Sequence, residues 1–434
     1  MKRDDRIPVV FAVGFCYNEP SWEEAGEKAL NRIRRWTALA AAALMLAAPT
    51  ALSRAEVTAE KTEMRGKVTQ ITWKDENGTV TAGPEGYAEI RYAYDKSDTT
   101  EKYYDTEGAP YQTAGGYYGR IMTRDGRGNI SSVTYLDENG KMAVNSLGYA
   151  RVMYKYFSSR EEREVIYCGT DGKTPVIVPS LGYAQMETKH SGNTLIGRVY
   201  KDPKGNPIDT PAGYATLKIQ LSKKNAAPIK IEYLHADDSR ATGPDGWSYC
   251  MMERDARGKL MKTEYFDVQG YLTRAGGCAR EEYTYGKDNL VTVSRFDAEG
   301  NRIPYDGAAV SVRRRMKGEK VLEETFLNEA GEPVALSAGY TSVSYTYNAN
   351  GDLEMTQYRD AAGNKATCKQ GYSAIRETRN AEGQLISRQY LDISEQPVNN
   401  NVSGVSEERY EYDEDGRLTG VQKYDSQGNL VVSD

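Results

Sequence analysis

A glycine returns at Gly86, Gly116, Gly148, Gly182, Gly213, Gly246, Gly277, Gly307, Gly339, Gly371 and Gly404, at intervals of 30 to 34 residues. Periodicity on this scale defines an array in which each repeat buries its apolar side only against its neighbours. It displaces the three ordinary domains that 434 residues would otherwise suggest. About eleven repeats of ~32 residues run from Gly86 to Asp434, with a partial repeat over 66–85. The array as a whole therefore spans 66–434.

Within a repeat the residues alternate. After Gly86 come Ile90, Tyr92 and Tyr94; after Gly148, Val152, Tyr154 and Tyr156; after Gly339, Val343, Tyr345 and Tyr347. Tyr283 and Tyr285, and Tyr410 and Tyr412, hold the same places. Period-two alternation puts these rings on one face of a strand and mostly polar groups on the other. A second arm carries an aromatic two residues before an aspartate or its equivalent, at Tyr103, Tyr135, Tyr200, Tyr265, Tyr358 and Tyr390. Asp-x-x-Gly sequences such as Asp105/Gly108 and Asp137/Gly140 supply tight turns, the Asp accepting backbone hydrogen bonds and the Gly tolerating positive φ. The predicted fold is all-β, an elongated coiled antiparallel sheet or β-solenoid of strand-turn-strand repeats. More than twenty strands cannot stay one flat sheet.

Of 43 aromatic residues, 33 are tyrosine. The named tyrosines form a candidate ladder that is either core, with hydroxyls reaching water or backbone, or an exposed row that stacks on sugar rings. Two strands per repeat advance the sheet by roughly 10 Å, the scale of a disaccharide.

The chain before the array is of another kind. Trp36–Ala48 is an apolar run of 13 residues, preceded by Arg32, Arg34 and Arg35 and followed by Ser53-Arg54-Ala55. It is too short to span a bilayer, which takes ~20 residues, and has the three-part form of a secretory signal. Residues 30–55 are expected to be a signal peptide cleaved after Ala55, residues 1–29 an extension upstream of the true start, and 56–65 a short leader. Removal leaves 48 Lys and Arg against 56 Asp and Glu. The mature chain is expected to be secreted or held non-covalently at a cell surface, with no membrane span. A net charge of −6 gives no basic footprint for nucleic acid.

Catalytic and metal chemistry find little purchase. His190 and His235 are the only histidines and have no repeated partners. Asp137-Glu138-Asn139-Gly140 lacks the further ligands of a calcium loop. Cys168, Cys250, Cys278 and Cys368 occupy different places in their repeats and read as half-buried free thiols, although Cys250 and Cys278 lie in adjacent repeats and could pair. No cofactor and no catalytic residue is expected.

The run Tyr410-Glu411-Tyr412-Asp413-Glu414-Asp415-Gly416-Arg417-Leu418, followed by Tyr424-Asp425-Ser426-Gln427-Gly428, resembles the tyrosine–aspartate (YD) repeat of bacterial Rhs-type surface and toxin-delivery proteins. That resemblance implies a spiralling antiparallel sheet. The repeat here is longer, with an added segment such as Gly148-Tyr149-Ala150. Thr263-Glu264-Tyr265-Phe266-Asp267-Val268-Gln269-Gly270 is similar to the aromatic hairpin repeats of secreted cell-wall- and glucan-binding proteins, which implies choline or sugar binding. The leading expectation is an exported binding or scaffold module whose partner is a cell-wall or extracellular polysaccharide or a protein. The alternatives are a YD-like β-shell that encloses or delivers a polypeptide, and a hydrolase built on the repeat scaffold.

Overall fold

The computed structural model describes residues 57–431 except 193, 381 and 413–417. The expected leader peptides and Ala55 lie outside the described residues, as does the Asp413/Gly416 turn. Every regular element described is a β-strand, 24 in all, with no helix. The all-β antiparallel repeat fold is as the alternation predicts. The chain divides into two compact units. The first takes the described residues up to Cys250 together with Phe266–Tyr271; the second takes Met251–Tyr265 and the described residues from Leu272 on.

In each unit the strands pair antiparallel in chain order. The first hairpin joins β1 (Thr58–Met64) to β2 (Lys67–Lys74), and the next joins β3 (Glu89–Asp95) to β4 (Asp98–Tyr104). Residues 58–64, expected as leader, are thus the first strand of the array. Ala59, Lys61 and Glu63 stand opposite Trp73, Ile71 and Val68 across the hairpin, with Lys61 and Glu63 exposed. They are polar or small where later repeats carry Ile and Tyr, so the alternation signal is missing there. A charged edge strand also discourages further edge pairing.

Hairpin arms share long ladders, seven residue pairs between β3 and β4. Successive hairpins share shorter ones, three pairs between β2 and β3. Beyond those pairs the chain leaves the ladder for the Gly-Tyr-Ala segment. The alanine of that segment completes the sheet: Ala150 N donates to Cys168 O at 2.8 Å, and Ala150 O accepts from Tyr135 N at 2.9 Å. Wedged between two strands, Ala88, Ala150, Ala184, Ala215 and Ala279 are fully buried, which explains the small residue. The preceding glycine closes a four-residue turn, as where Gly148 N donates to Asn145 O at 3.0 Å with Gly148 at φ +93. That left-handed conformation suits glycine.

The tight turns, both within hairpins and after the second arm, follow the Asp-x-x-Gly reading. Asp105 Oδ1 accepts from the amides of Glu107 at 2.9 Å and Ala109 at 2.8 Å. Asn328, Asn348 and Asn380 do the same work in turns the Asp pattern does not reach.

The face opposite the tyrosines is less wet than simple alternation implies. The residue just before each turn aspartate is often buried, including Leu136, Phe296 and Leu391. Elsewhere that face carries cross-strand ion pairs, such as Lys155–Glu164 at 2.5 Å and Arg315–Glu323 at 2.7 Å. Guanidinium groups also lie over rings, Arg91 on Tyr104 at 3.9 Å and Arg409 on Tyr424 at 4.3 Å.

Candidate functional site: the aromatic seam and its charged interruptions

The second-arm tyrosines do not stand as a free row. In the first unit they interleave with the tyrosines of the Gly-Tyr-Ala segments. Trp73, Tyr87, Tyr103, Tyr117, Tyr135, Tyr149, Tyr167, Tyr183, Tyr200, Tyr214, Tyr233 and Trp247 form one continuous seam. Successive ring centroids are 4.7 to 6.1 Å apart, mostly edge-on or tilted. These are favourable aromatic geometries, each worth about 0.5–1.5 kcal/mol beyond area burial. In the second unit Phe326, Tyr340, Tyr358, Tyr372 and Tyr390 continue the pattern at 4.4 to 6.4 Å. Close approach is built in: a Cβ on Gly243 would sit 2.3 Å from the Tyr233 ring.

The seam is core. Tyr103, Tyr149, Tyr167, Tyr265 and Tyr340 are buried, and Tyr135, Tyr200, Tyr358 and Tyr390 half-buried. Half of it escaped the sequence reading. Tyr87, Tyr117, Tyr149, Tyr183, Tyr214, Tyr340 and Tyr372 fall outside any strand alternation, yet the recurring Gly-Tyr dipeptide was the signal for them. Tyr167 and Tyr233 lack the aspartate marker, because Gly169 and His235 stand where the turn Asp would be.

The first-arm tyrosines divide by position. The outer one ties its hairpin to the preceding repeat: Tyr94, Tyr156, Tyr285, Tyr347 and Tyr412 donate to the backbone carbonyls of Val68, Ile130, Leu260, Val321 and Leu385, at 2.6 to 2.9 Å. In three of these a lysine sits over the ring, Lys67, Lys259 or Lys320 at 4.5 to 4.8 Å. Tyr94 is the exposed member at 39%. Tyr347→Phe keeps the ring and removes this bond, and should cost about 1 kcal/mol in denaturant unfolding.

The inner first-arm rings, Tyr92, Tyr154, Tyr283, Tyr345 and Tyr410, are buried or half-buried. Three of them donate to carboxylates: Tyr283 to Glu281 at 2.7 Å, Tyr345 to Glu324 at 2.8 Å and Tyr410 to Glu408 at 2.7 Å. Those carboxylates mark breaks in the apolar register. Glu281 and Arg295 pair across strands in the places held elsewhere by Ile90 and Tyr103. Arg295 Nε is 3.6 Å from Glu281 Oε1 and its guanidinium lies 4.5 Å from the Tyr305 ring. One repeat on, Arg314 Nε donates to Glu324 Oε1 at 2.8 Å, with both side chains at most 5% exposed. Glu101 receives Arg120 at 2.5 Å in the first unit, and Glu377 receives Arg388 at 2.9 Å in the second. Sequence periodicity assigns such charges to solvent. Here Arg314–Glu324 is internal and the other pairs set a shielded carboxylate against a partly exposed arginine.

The remaining candidates are quiet. The four described cysteines are free and buried, and burial pushes the Cys250 and Cys278 thiols up to about 12. His190 stacks on Phe157 at 4.5 Å with Nδ1 2.9 Å from Glu161, and His235 meets Asp209 at 2.8 Å. Among the described residues no group of three His, Cys, Asp or Glu side chains is placed to hold a metal ion, and no helix is long and apolar enough to cross a membrane.

No family model matches the chain, and no curated protein matches it. Among solved structures, 86% of the chain is similar to 22% of a chain in the crystal structure of TcdB2-TccC3-Cdc42, with 12% identity and a TM-score of 0.28. Likewise 84% of it is similar to 21% of a chain in the Photorhabdus luminescens Tc holotoxin pore, with 11% identity and a TM-score of 0.26. The chain thus spans about a fifth of the length of these two neighbours.

Proposed function

We propose that this chain is a non-catalytic β-repeat wall of the tyrosine–aspartate kind, exported from the cell, whose partner is a polypeptide that it shields. The observation that carries this reading is the fate of the rings. Each seam tyrosine turns its faces and edges to other rings, so little aromatic surface remains for the successive units of a glycan to stack on. Polysaccharide tracking is the less favoured reading for that reason.

Other features support the same view. The YD-like tyrosines Tyr410 and Tyr412 are tied to a carboxylate and to the preceding hairpin, a structural use of the motif. A hydrolase would need two carboxylates facing a cleft with separated pKa values. The interior carboxylates Glu101, Glu281, Glu324 and Glu377 are instead spent on arginines.

The test fuses an unstructured reporter polypeptide after Asp434 of the full chain and follows its cleavage by a nonspecific protease, alongside retention of the unfused chain on glycan and cell-wall arrays. Slower cleavage than that of the free reporter, with no array retention, is expected. Cleavage at the free rate, or retention that Tyr94→Ala abolishes, would overturn the proposal.

A further inference from the structure

Among the charged side chains on the tyrosine face, one differs from the rest. Arg120, Arg295, Arg314 and Arg388 each have a glutamate partner. Arg198 lies in the strand Thr194–Lys201 of the first unit, pairs across the hairpin with Thr188, and is 7% exposed. Its Nε has no hydrogen-bond partner, and it forms no ion pair among the described residues.

The repeat around Arg198 is also cut back. Thr188 and His190 stand in the register places of Tyr92 and Tyr94, or of Tyr154 and Tyr156. Thr188, opposite Arg198, thus replaces a phenol with a small hydroxyl, while the His190 ring stacks on Phe157. Neither replacement supplies the missing negative charge. Thr188 Oγ1 donates to the Glu162 carbonyl at 2.5 Å, and His190 already faces Glu161. The Arg198 charge acts on the Tyr183 and Tyr214 phenols, and Tyr183 also feels the Glu162 carboxylate, which forms no ion pair with Arg198.

A buried charge without a partner is costly, and a guanidinium presents a planar fork that fits two oxygens of an anion at once. We propose that Arg198 is the binding residue of an oxyanion site on the tyrosine face of the first unit, taking a phosphate or carboxylate group. Occupation supplies the counter-charge that the other arginines of this face obtain from glutamate. The site goes beyond the wall function and does not depend on it.

The experiment uses the full chain at fixed ionic strength, with chloride replaced stepwise by inorganic phosphate or by acetate. Isothermal titration and thermal unfolding are read for the wild type and for Arg198→Met, which keeps the length of the side chain and removes its charge. Saturable binding of one anion is expected, with a rise in Tm of about 5 °C at saturation; which anion binds tells a tetrahedral from a planar ligand. R198M should bind neither and unfold at a higher temperature than the wild type in chloride. Absence of saturable binding by both anions overturns the site, and so does an equal response in R198M. Should R198M not fold, Arg198→Lys serves instead: it must weaken binding at least tenfold, because a point charge loses the fork, and unchanged affinity overturns the assignment.

Discussion

Arg314→Met alone is expected to destabilise the second unit by about 3–5 kcal/mol, whereas Arg314→Met combined with Glu324→Leu should be neutral or more stable than the wild type. The reasoning lies in the burial of both partners, 5% and 3% exposed at the side chain, with their bond at 2.8 Å. Removing the arginine leaves a carboxylate inside the protein whose remaining partner is the Tyr345 hydroxyl. Removing both charges relieves two desolvation costs and leaves a site that Val, Ile and Tyr fill in other repeats. Hydrogen exchange of the amides in Ser311–Lys317 and Lys320–Leu327 reports the local effect without assuming that both units unfold together. Equal losses in the single and double variants would show that the pair stabilises the fold in its own right.

If the double variant is indeed as stable, the charges have another use. Repeats of nearly equal length offer many wrong pairings of similar apolar content. A Glu and an Arg that meet only in the correct register penalise those alternatives, a known use of buried polar groups. Refolding yield of the double variant, compared with the wild type, reads that directly.

The tight turns were legible because their chemistry is local. Asp105, Glu107, Ala109 and Gly108 lie within five residues, and their hydrogen bonds can be deduced from a turn type. The strands were legible for the same reason, since Ile90, Tyr92 and Tyr94 declare their face by spacing alone. The seam was only half legible: Tyr103 and Tyr135 announce themselves by alternation, but Tyr117, which lies between them in space, sits in a segment with no period. The charged interruptions were not legible at all. Glu281 and Arg295 are 14 residues apart in sequence, and only a known register shows that they face one another. Strand β1 was missed because Ala59, Lys61 and Glu63 have the polarity of an edge.

Alkaline titration of the tyrosines tests most directly whether the seam is interior. Burial above all pushes the Tyr183 and Tyr305 hydroxyls up to about 12. It holds Tyr103, Tyr154, Tyr167, Tyr283 and Tyr345 well above the usual tyrosine range. The neutral, protonated phenol is the form the fold accepts. Each raised value thus contributes stability that is complete below about pH 10, the unfolded pKa, and is lost as pH rises through the folded one. Near-UV absorbance of tyrosinate should show only a minor fraction of the 33 tyrosines ionising around pH 10. The remainder should ionise in one steep step above about pH 12, together with loss of the far-UV strand signal. A smooth titration of nearly all tyrosines centred about pH 10, with the strand signal intact, would contradict the account and return the rings to the surface as a ladder open to ligand.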